Sequence, residues 1–184
     1  MPRWINRQSC KALTLSVLAA LPWVLPHSSH GADNLSFKGV LVQEACSIRP
    51  GDEALALELW DTSPKYLYLN TRTLGKVFQI HLEGCDTGIG DSVTTTFSGN
   101  ESLELPGLLA LDAGSSASGV AIGLETPENT PLPLNTATDK QVLSDGSNRI
   151  ELKAYVKGEP KALADQSIMA GTFSAVSTFT LNYP

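Results

Sequence analysis

Side chains that ligate metals or act as nucleophiles are scarce. Three histidines and three cysteines occur in 184 residues, and beyond the first 31 only His81, Cys46 and Cys85 remain. One histidine with no cysteine pair to spare cannot build a zinc site. No phosphate loop or dinucleotide fingerprint is present. Gly90-Asp91-Ser92-Val93 is loosely similar to an esterase nucleophile block but has no partner histidine. The serines of Gly114–Gly119 lack the strand–turn–helix setting of a nucleophile elbow. Asp52 and Glu53 sit in turn-like sequence and read as solvated, while His81 reads as a surface or packing residue. No catalysis, cofactor or metal is assigned.

Basic charge is also short. Lys and Arg number 13 against 19 Asp and Glu, for a net charge of −6, and the acidic residues are scattered. Such a surface excludes a nucleic acid or an anionic lipid as partner through a basic face. Repeats and low-complexity tracts are absent. The longest apolar stretch, Ala12 to Leu25, is about 14 residues against the ~20 needed to cross a bilayer, which argues against a membrane anchor.

What is present begins with an export signal. Arg3, Arg7 and Lys11 precede the apolar stretch, and Pro26 ends it ahead of a short polar segment. Cleavage after Gly31 places Ser29 and Gly31 at the two positions a signal peptidase reads; a cut after Ala32 would leave His30 at the upstream one. Residues 1–31 are therefore expected to be a signal peptide. With their removal Lys and Arg fall to about 10 and the net charge to about −9, with a length suited to one domain. Cys10 leaves as well. In an exported chain the two remaining cysteines, Cys46 and Cys85, most simply form one disulfide, stabilising the fold by about 4 kcal/mol in the chain-entropy model. A free reactive thiol is the rival reading.

Alternating apolar residues then recur along the chain: Leu55, Leu57 and Leu59 in Ala54–Trp60; Phe78, Ile80 and Leu82 in Val77–Glu83; Val93, Thr95 and Phe97 in Ser92–Ser98. Val120, Ile122 and Leu124 alternate in Gly119–Glu125, and Ile150, Leu152, Ala154 and Val156 form a longer run. The last spans Thr172–Tyr183, with Phe173, Ala175, Phe179, Leu181 and Tyr183 on one face and Ser177 interrupting it. Turn-rich stretches at 49–53, 84–91, 113–118 and 127–136 separate these runs. Short strands at this spacing predict a β-sandwich. Glu101–Leu111 supplies either a short helix or another strand, and Ala162–Met169 one helical turn.

Two ends of this pattern stand out. About six strands are found where an immunoglobulin-like sandwich has about seven, and the chain stops on a hydrophobic strand with only Pro184 after Tyr183. A sandwich short of its final strand has an open groove and an unpaired edge that invite another chain. At the other end, Leu35, Phe37, Gly39 and Leu41 alternate just behind the signal and ahead of Cys46. That strand has one face to bury and no evident partner of its own.

These residues resemble the pilin subunits of the bacterial chaperone–usher pathway, of the type 1 and P-pilus kind, over essentially the whole mature chain. Phe37-Lys38-Gly39 and the apolar strand toward Cys46 resemble the donor segment and first strand. Cys85 closes the strand ending Phe78–Gly84, and Arg149–Tyr155 resembles the late core strand. The most specific likeness is the ending, with Gly171, then Phe173-Ser174-Ala175, Thr178–Leu181 and penultimate Tyr183.

The resemblance implies an all-β, incomplete immunoglobulin-like sandwich (residues 44–184) lacking its seventh strand, preceded by a donor-strand extension at 32–43. A periplasmic chaperone lends a strand during folding, an outer-membrane usher assembles the fibre, and the N-terminal segment of a neighbouring pilin replaces the chaperone's strand. It implies Leu35, Phe37, Gly39 and Leu41 as donor residues. Gly171, Phe173, Ala175, Phe179, Leu181 and Tyr183 are implied as acceptor groove and chaperone-recognition strand. The expected address is a cell-surface fimbrium reached through the periplasm, without direct membrane insertion. A short Ala32–Cys46 stretch resembles minor tip or adaptor pilins; a major rod subunit is the nearest rival, a fibre terminator another. The chain leaves no room for a second, lectin domain. A reading from a different class is a secreted monomeric carbohydrate-binding sandwich, which would need an aromatic platform or a calcium loop. Trp60 and the Tyr66/Tyr68 pair, on one face of any local strand, are the candidates for the platform, with a hydrophobic turn between strands as the rival reading of the tyrosines.

Overall fold

Strands form where aliphatic and β-branched residues alternate with polar ones, and they end where glycine, proline or asparagine turns the chain. The computed structural model describes residues 43–59 and 61–184. The expected signal peptide, Leu35, Phe37, Gly39 and Leu41, and Trp60 lie outside the described residues.

Eight strands and two short helices follow in order: β1 (Ser47–Ile48), α1 (Pro64–Asn70), β2 (Lys76–Cys85), β3 (Ser92–Gly99), β4 (Val120–Glu125), β5 (Pro131–Leu132), β6 (Gln141–Val142), β7 (Gly146–Gly158), α2 (Pro160–Ala164) and β8 (Ser177–Asn182). A 3-10 turn, Asp52–Ala54, lies between β1 and α1. The strands make two antiparallel sheets, one ordered β1-β2-β7-β4-β5 and the other β6-β3-β8. This is an incomplete immunoglobulin-like sandwich.

The inner faces follow the alternation. Ile80 and Leu82 from β2, Val93 and Phe97 from β3, Ile122 and Leu124 from β4, and Ile150 and Leu152 from β7 are buried together. Burying such a side chain contributes about 1.5–3 kcal/mol. Cys46 and Cys85 are bonded within this core, their Cα atoms 4.1 Å apart, tying the start of β1 to the end of β2. A smaller cluster of Leu67 from α1, Ala162 from α2, Val120, Val156 and Ile168 packs beside it. Phe78 and Phe97 meet edge to face across the two sheets, with ring centroids 6.5 Å apart.

The structure departs from the sequence pattern at named places. Leu55–Leu59 is not a sheet strand: it runs on from the 3-10 turn, and among the described residues no backbone hydrogen bond ties it to a ladder. Leu57 and Leu59 nevertheless pack on the core, so the alternation reported burial of a face without a ladder. Tyr66 and Tyr68 lie on a helix and not a strand. Ser63 caps it by accepting the Tyr66 N–H, Pro64 opens it, and the Tyr68 hydroxyl accepts the Ile168 N–H at 3.1 Å. Glu101–Leu111 forms neither a helix nor a strand, only isolated bridges from Leu109 to Glu101 and Ile122. The expected helical turn at Ala162–Met169 starts earlier, at Pro160. Three two-residue strands, β1, β5 and β6, were too short to show a period. The last ladder strand is only Ser177–Asn182.

Asp52 and Glu125 are the two polar surprises. Asp52 was expected in solvent, yet it is only 6% exposed. Glu125, at the end of a run read as half-buried, has no exposed surface, and both its carboxylate oxygens accept from Arg72 at 2.8 and 2.9 Å. The Arg72 guanidinium also lies 3.6 Å from the centroid of the Tyr155 ring, a cation–π arrangement. Gly123 makes this possible, since a Cβ there would run into the Tyr155 ring that crosses it.

Candidate functional site

The residues expected to form an acceptor face lie along one strand and its approach. From 172 to 183 exposure alternates without a break: Phe173, Ala175, Ser177, Phe179, Leu181 and Tyr183 are half-buried, and the residues between them are exposed. One edge of β8 pairs with β3 in full register, from Gly99↔Ser177 to Thr94↔Asn182, with Phe97 opposite Phe179. Their ring centroids are 6.4 Å apart. Among the described residues no strand pairs with the other edge of β8. Ser177 interrupts the apolar stripe at no polar cost, because its hydroxyl donates to the Ser98 carbonyl at 3.0 Å.

Beside that free edge opens a cleft of about 600 Å³. One wall is β8 with its approach, Ala175–Phe179; the other is the unladdered run Ala54–Leu59; Phe78, Phe97, Leu109 and Ile122 are among the residues beneath. Leu55, Leu57 and Leu59 on one wall and Ala175 and Phe179 on the other line the cleft, and among the described residues neither wall has a ladder partner on the cleft side. An extended strand laid between them would find hydrogen-bonding groups on either side and apolar surface below.

Not every predicted residue lines this cleft. Ala175 and Phe179 do. Phe173, Leu181 and Tyr183 continue the same face and pack on the core outside the cleft lining. Burial pushes the Tyr183 phenol upward, and Glu44 adds to the shift. Gly171 stands apart from the cleft, packed so closely on Ser116 and Ala117 that a Cβ would collide with their backbone. Sequence reasoning missed Leu109, in the undecided segment, and the polar group at the head of the opposite wall.

That polar group joins the 3-10 turn to β2. Asp52 Oδ2 accepts the His81 N–H at 2.7 Å and lies 2.8 Å from His81 Nδ1. Arg49 Nη2 lies 2.7 Å from the same ring nitrogen and 3.5 Å from Asp52 Oδ1. Nδ1 serves one partner at a time: carrying a proton it donates to the carboxylate, and without one it accepts from the guanidinium. The His81 backbone N–H, then its ring, hold the Asp52 carboxyl below its ordinary 3.8 against the cost of burial, and the Arg49 charge assists. Among the described residues no cluster of His, Cys, Asp and Glu is arranged to hold a metal ion, and no helix is long and apolar enough to cross a membrane.

Comparison with known proteins bears on the chain's family and fold. A family model described as "Fimbrial protein" matches residues 35–184. A Fimbria A protein of Serratia marcescens is 33% identical over 156 residues, covering 85% of this chain and 87% of that protein. A putative minor fimbrial subunit, PmfF, of Proteus mirabilis is 31% identical over 151 residues, covering 81% and 83%. Among solved structures, the P pilus rod subunit PapA superposes with a TM-score of 0.66 at 23% identity, covering 77% of this chain and all of that one; that likeness concerns the fold.

Proposed function

The chain belongs to the fimbrial protein family and is a non-enzymatic structural subunit of fimbriae, and on that premise we propose that it polymerises by donor-strand exchange, its cleft receiving a strand from a neighbouring pilin. The observation that carries this reading is the free edge of β8 with a half-buried apolar face beside a strand-sized cleft. Strand addition at a sheet edge is an established mode of recognition, of which chaperone–pilin pairs are an instance: main-chain hydrogen bonds supply affinity and alternate side chains supply specificity.

The chain also carries a donor. After removal of residues 1–31, the segment 32–43 carries Leu35, Phe37, Gly39 and Leu41 at alternate positions. Burying each of the large three in a neighbour's cleft contributes about 1.5–3 kcal/mol before ordering costs. Gly39 brings the two backbones close or fits a shallow pocket. In the periplasm a chaperone strand occupies the cleft first, against Ala175 and Phe179 and along the face that Phe173, Leu181 and Tyr183 continue, and an outer-membrane usher exchanges it for the donor. The short stretch before Cys46 favours a minor or adaptor position in the fibre.

Deleting residues 32–41 from the full chain, expressed with its chaperone and usher, tests the donor role. The truncated subunit is expected to be captured by the chaperone and to receive a donor, but not to insert into a neighbour. Normal incorporation, with a further subunit attached to the truncated chain's N-terminal side, would overturn the assignment.

A further inference from the structure

The wall formed by Leu55–Leu59 poses a mechanical problem, because among the described residues no ladder holds it in place. It rests on the apolar contacts of Leu57 and Leu59 and on a contact from Lys76 Nζ to the Glu58 carbonyl. The β1–β2 ladder pairs Ser47 with Glu83 and Ile48 with Leu82, and then stops. Beyond it Arg49 N–H still donates to the His81 carbonyl at 2.9 Å. Pro50 has no N–H to offer, and Gly51 takes φ +102°, so the chain leaves the sheet. The Asp52 side chain then returns to take the His81 N–H that a continuing strand would have taken.

We infer that Asp52 is a positioning residue for strand uptake: by capping β2 at His81 it holds the chain off the first sheet, so that Leu55–Leu59 stands as the far wall of the cleft. This rests on the strand-exchange reading above and adds to it a residue that touches no incoming strand. The geometry supports the role on three counts. The carboxylate is buried and bonded to a main-chain donor, the kind of interaction that is costly to lose. It begins the 3-10 turn that leads directly into the wall. Arg49 and the His81 ring lie against it, and Glu53 is occupied elsewhere, accepting the Gly51 N–H at 2.6 Å.

The test uses the full-length chain purified with its chaperone and a labelled synthetic peptide of residues 33–42. Uptake of the peptide is followed together with backbone hydrogen exchange. Wild type is expected to take up this peptide or the corresponding donor peptide of a neighbouring pilin; if it takes up neither, the strand-exchange reading fails and this inference with it. Asp52→Ala is expected to slow or weaken uptake about tenfold, with faster exchange of the His81 N–H and unchanged protection in β7. Uptake equal to wild type overturns the inference. Should Asp52→Ala also lose β7 protection, Asp52→Asn decides, since its amide oxygen still accepts the His81 N–H without the charge. Uptake above that of Asp52→Ala, with the His81 N–H again protected, supports the positioning role; uptake as low as that of Asp52→Ala while the His81 N–H and β7 are both protected overturns it.

Discussion

Strands β4 and β8 are both six residues long and both show apolar residues at alternate positions, yet their surroundings differ completely. In β4 every residue is buried. It is paired on both edges, with β7 and β5; its inner residues lie in the core, while on its other face Gly123 lies against the Tyr155 ring and Glu125 against Arg72. In β8 the exposed residues alternate with ones that are only half-buried, and among the described residues one edge pairs with β3 and nothing pairs with the other. Alternation therefore reports that a face seeks burial and does not report who supplies it. In β4 the chain supplies it; in β8 we propose that another chain does.

Variants on the β4 side are the strongest way to break this contrast. Arg72→Ala leaves the fully buried Glu125 carboxylate without its partner and is expected to cost about 3–5 kcal/mol of unfolding free energy, read from the urea midpoint of the chain with a bound donor peptide. Glu125→Ala is expected to cost less, because Arg72 is partly exposed and can regain water.

Next comes a paired truncation. Val120→Ala, in β4 but outside the cleft lining, is expected to destabilise the chain by about 1–3 kcal/mol, as much without a donor peptide as with one. Phe179→Ala is expected to cost about 1–2 kcal/mol without the peptide, since its site is already half open, and more with the peptide bound. Equal losses for Phe179→Ala in the two states would remove the distinction between the strands.

The smallest effect is a pH dependence at a site away from both strands. Asp145 accepts from the hydroxyl and the N–H of Thr87, and these two bonds, against a burial cost, hold its carboxyl below the ordinary 3.8. A depressed folded value means that the unfolded chain binds the proton more readily. The stabilisation is then complete above the unfolded value and is lost as pH falls through the folded one. Thr87→Ala, which removes the hydroxyl and keeps the N–H, is expected to reduce this part of the acid dependence, measured as the change in urea midpoint from pH 5 to pH 2.

Much of this contrast was legible in sequence. The runs that became β2, β3, β4 and β7 alternate cleanly between turn residues, and the phase of 172–183 was legible even through Ser177, because period two survives outside a ladder. The rest depended on residues far apart in the chain. Arg72 and Glu125 are separated by 53 positions, so nothing local marks Glu125 as buried. Asp52 looks like any turn carboxylate until β2 brings His81 to it. Leu55–Leu59 reads as a strand because its leucines alternate, and Leu57 and Leu59 do face the core while Leu55 is exposed; what it lacks is a main-chain partner, which side-chain periodicity does not reveal. At α1 the spacing of Tyr66 and Tyr68 reads as strand-like, whereas Ser63 as cap and Pro64 in the first turn start a helix.

The central claim is that the cleft between β8 and Leu55–Leu59 accepts a strand from another subunit. A photoactivatable cross-linker placed at Ala175 in assembled fibres tests it most directly. The account predicts cross-links to the N-terminal extension of a neighbouring subunit, lost when fibre assembly is prevented. Cross-links confined to the chain's own residues, or to a neighbour's outer surface, would contradict it.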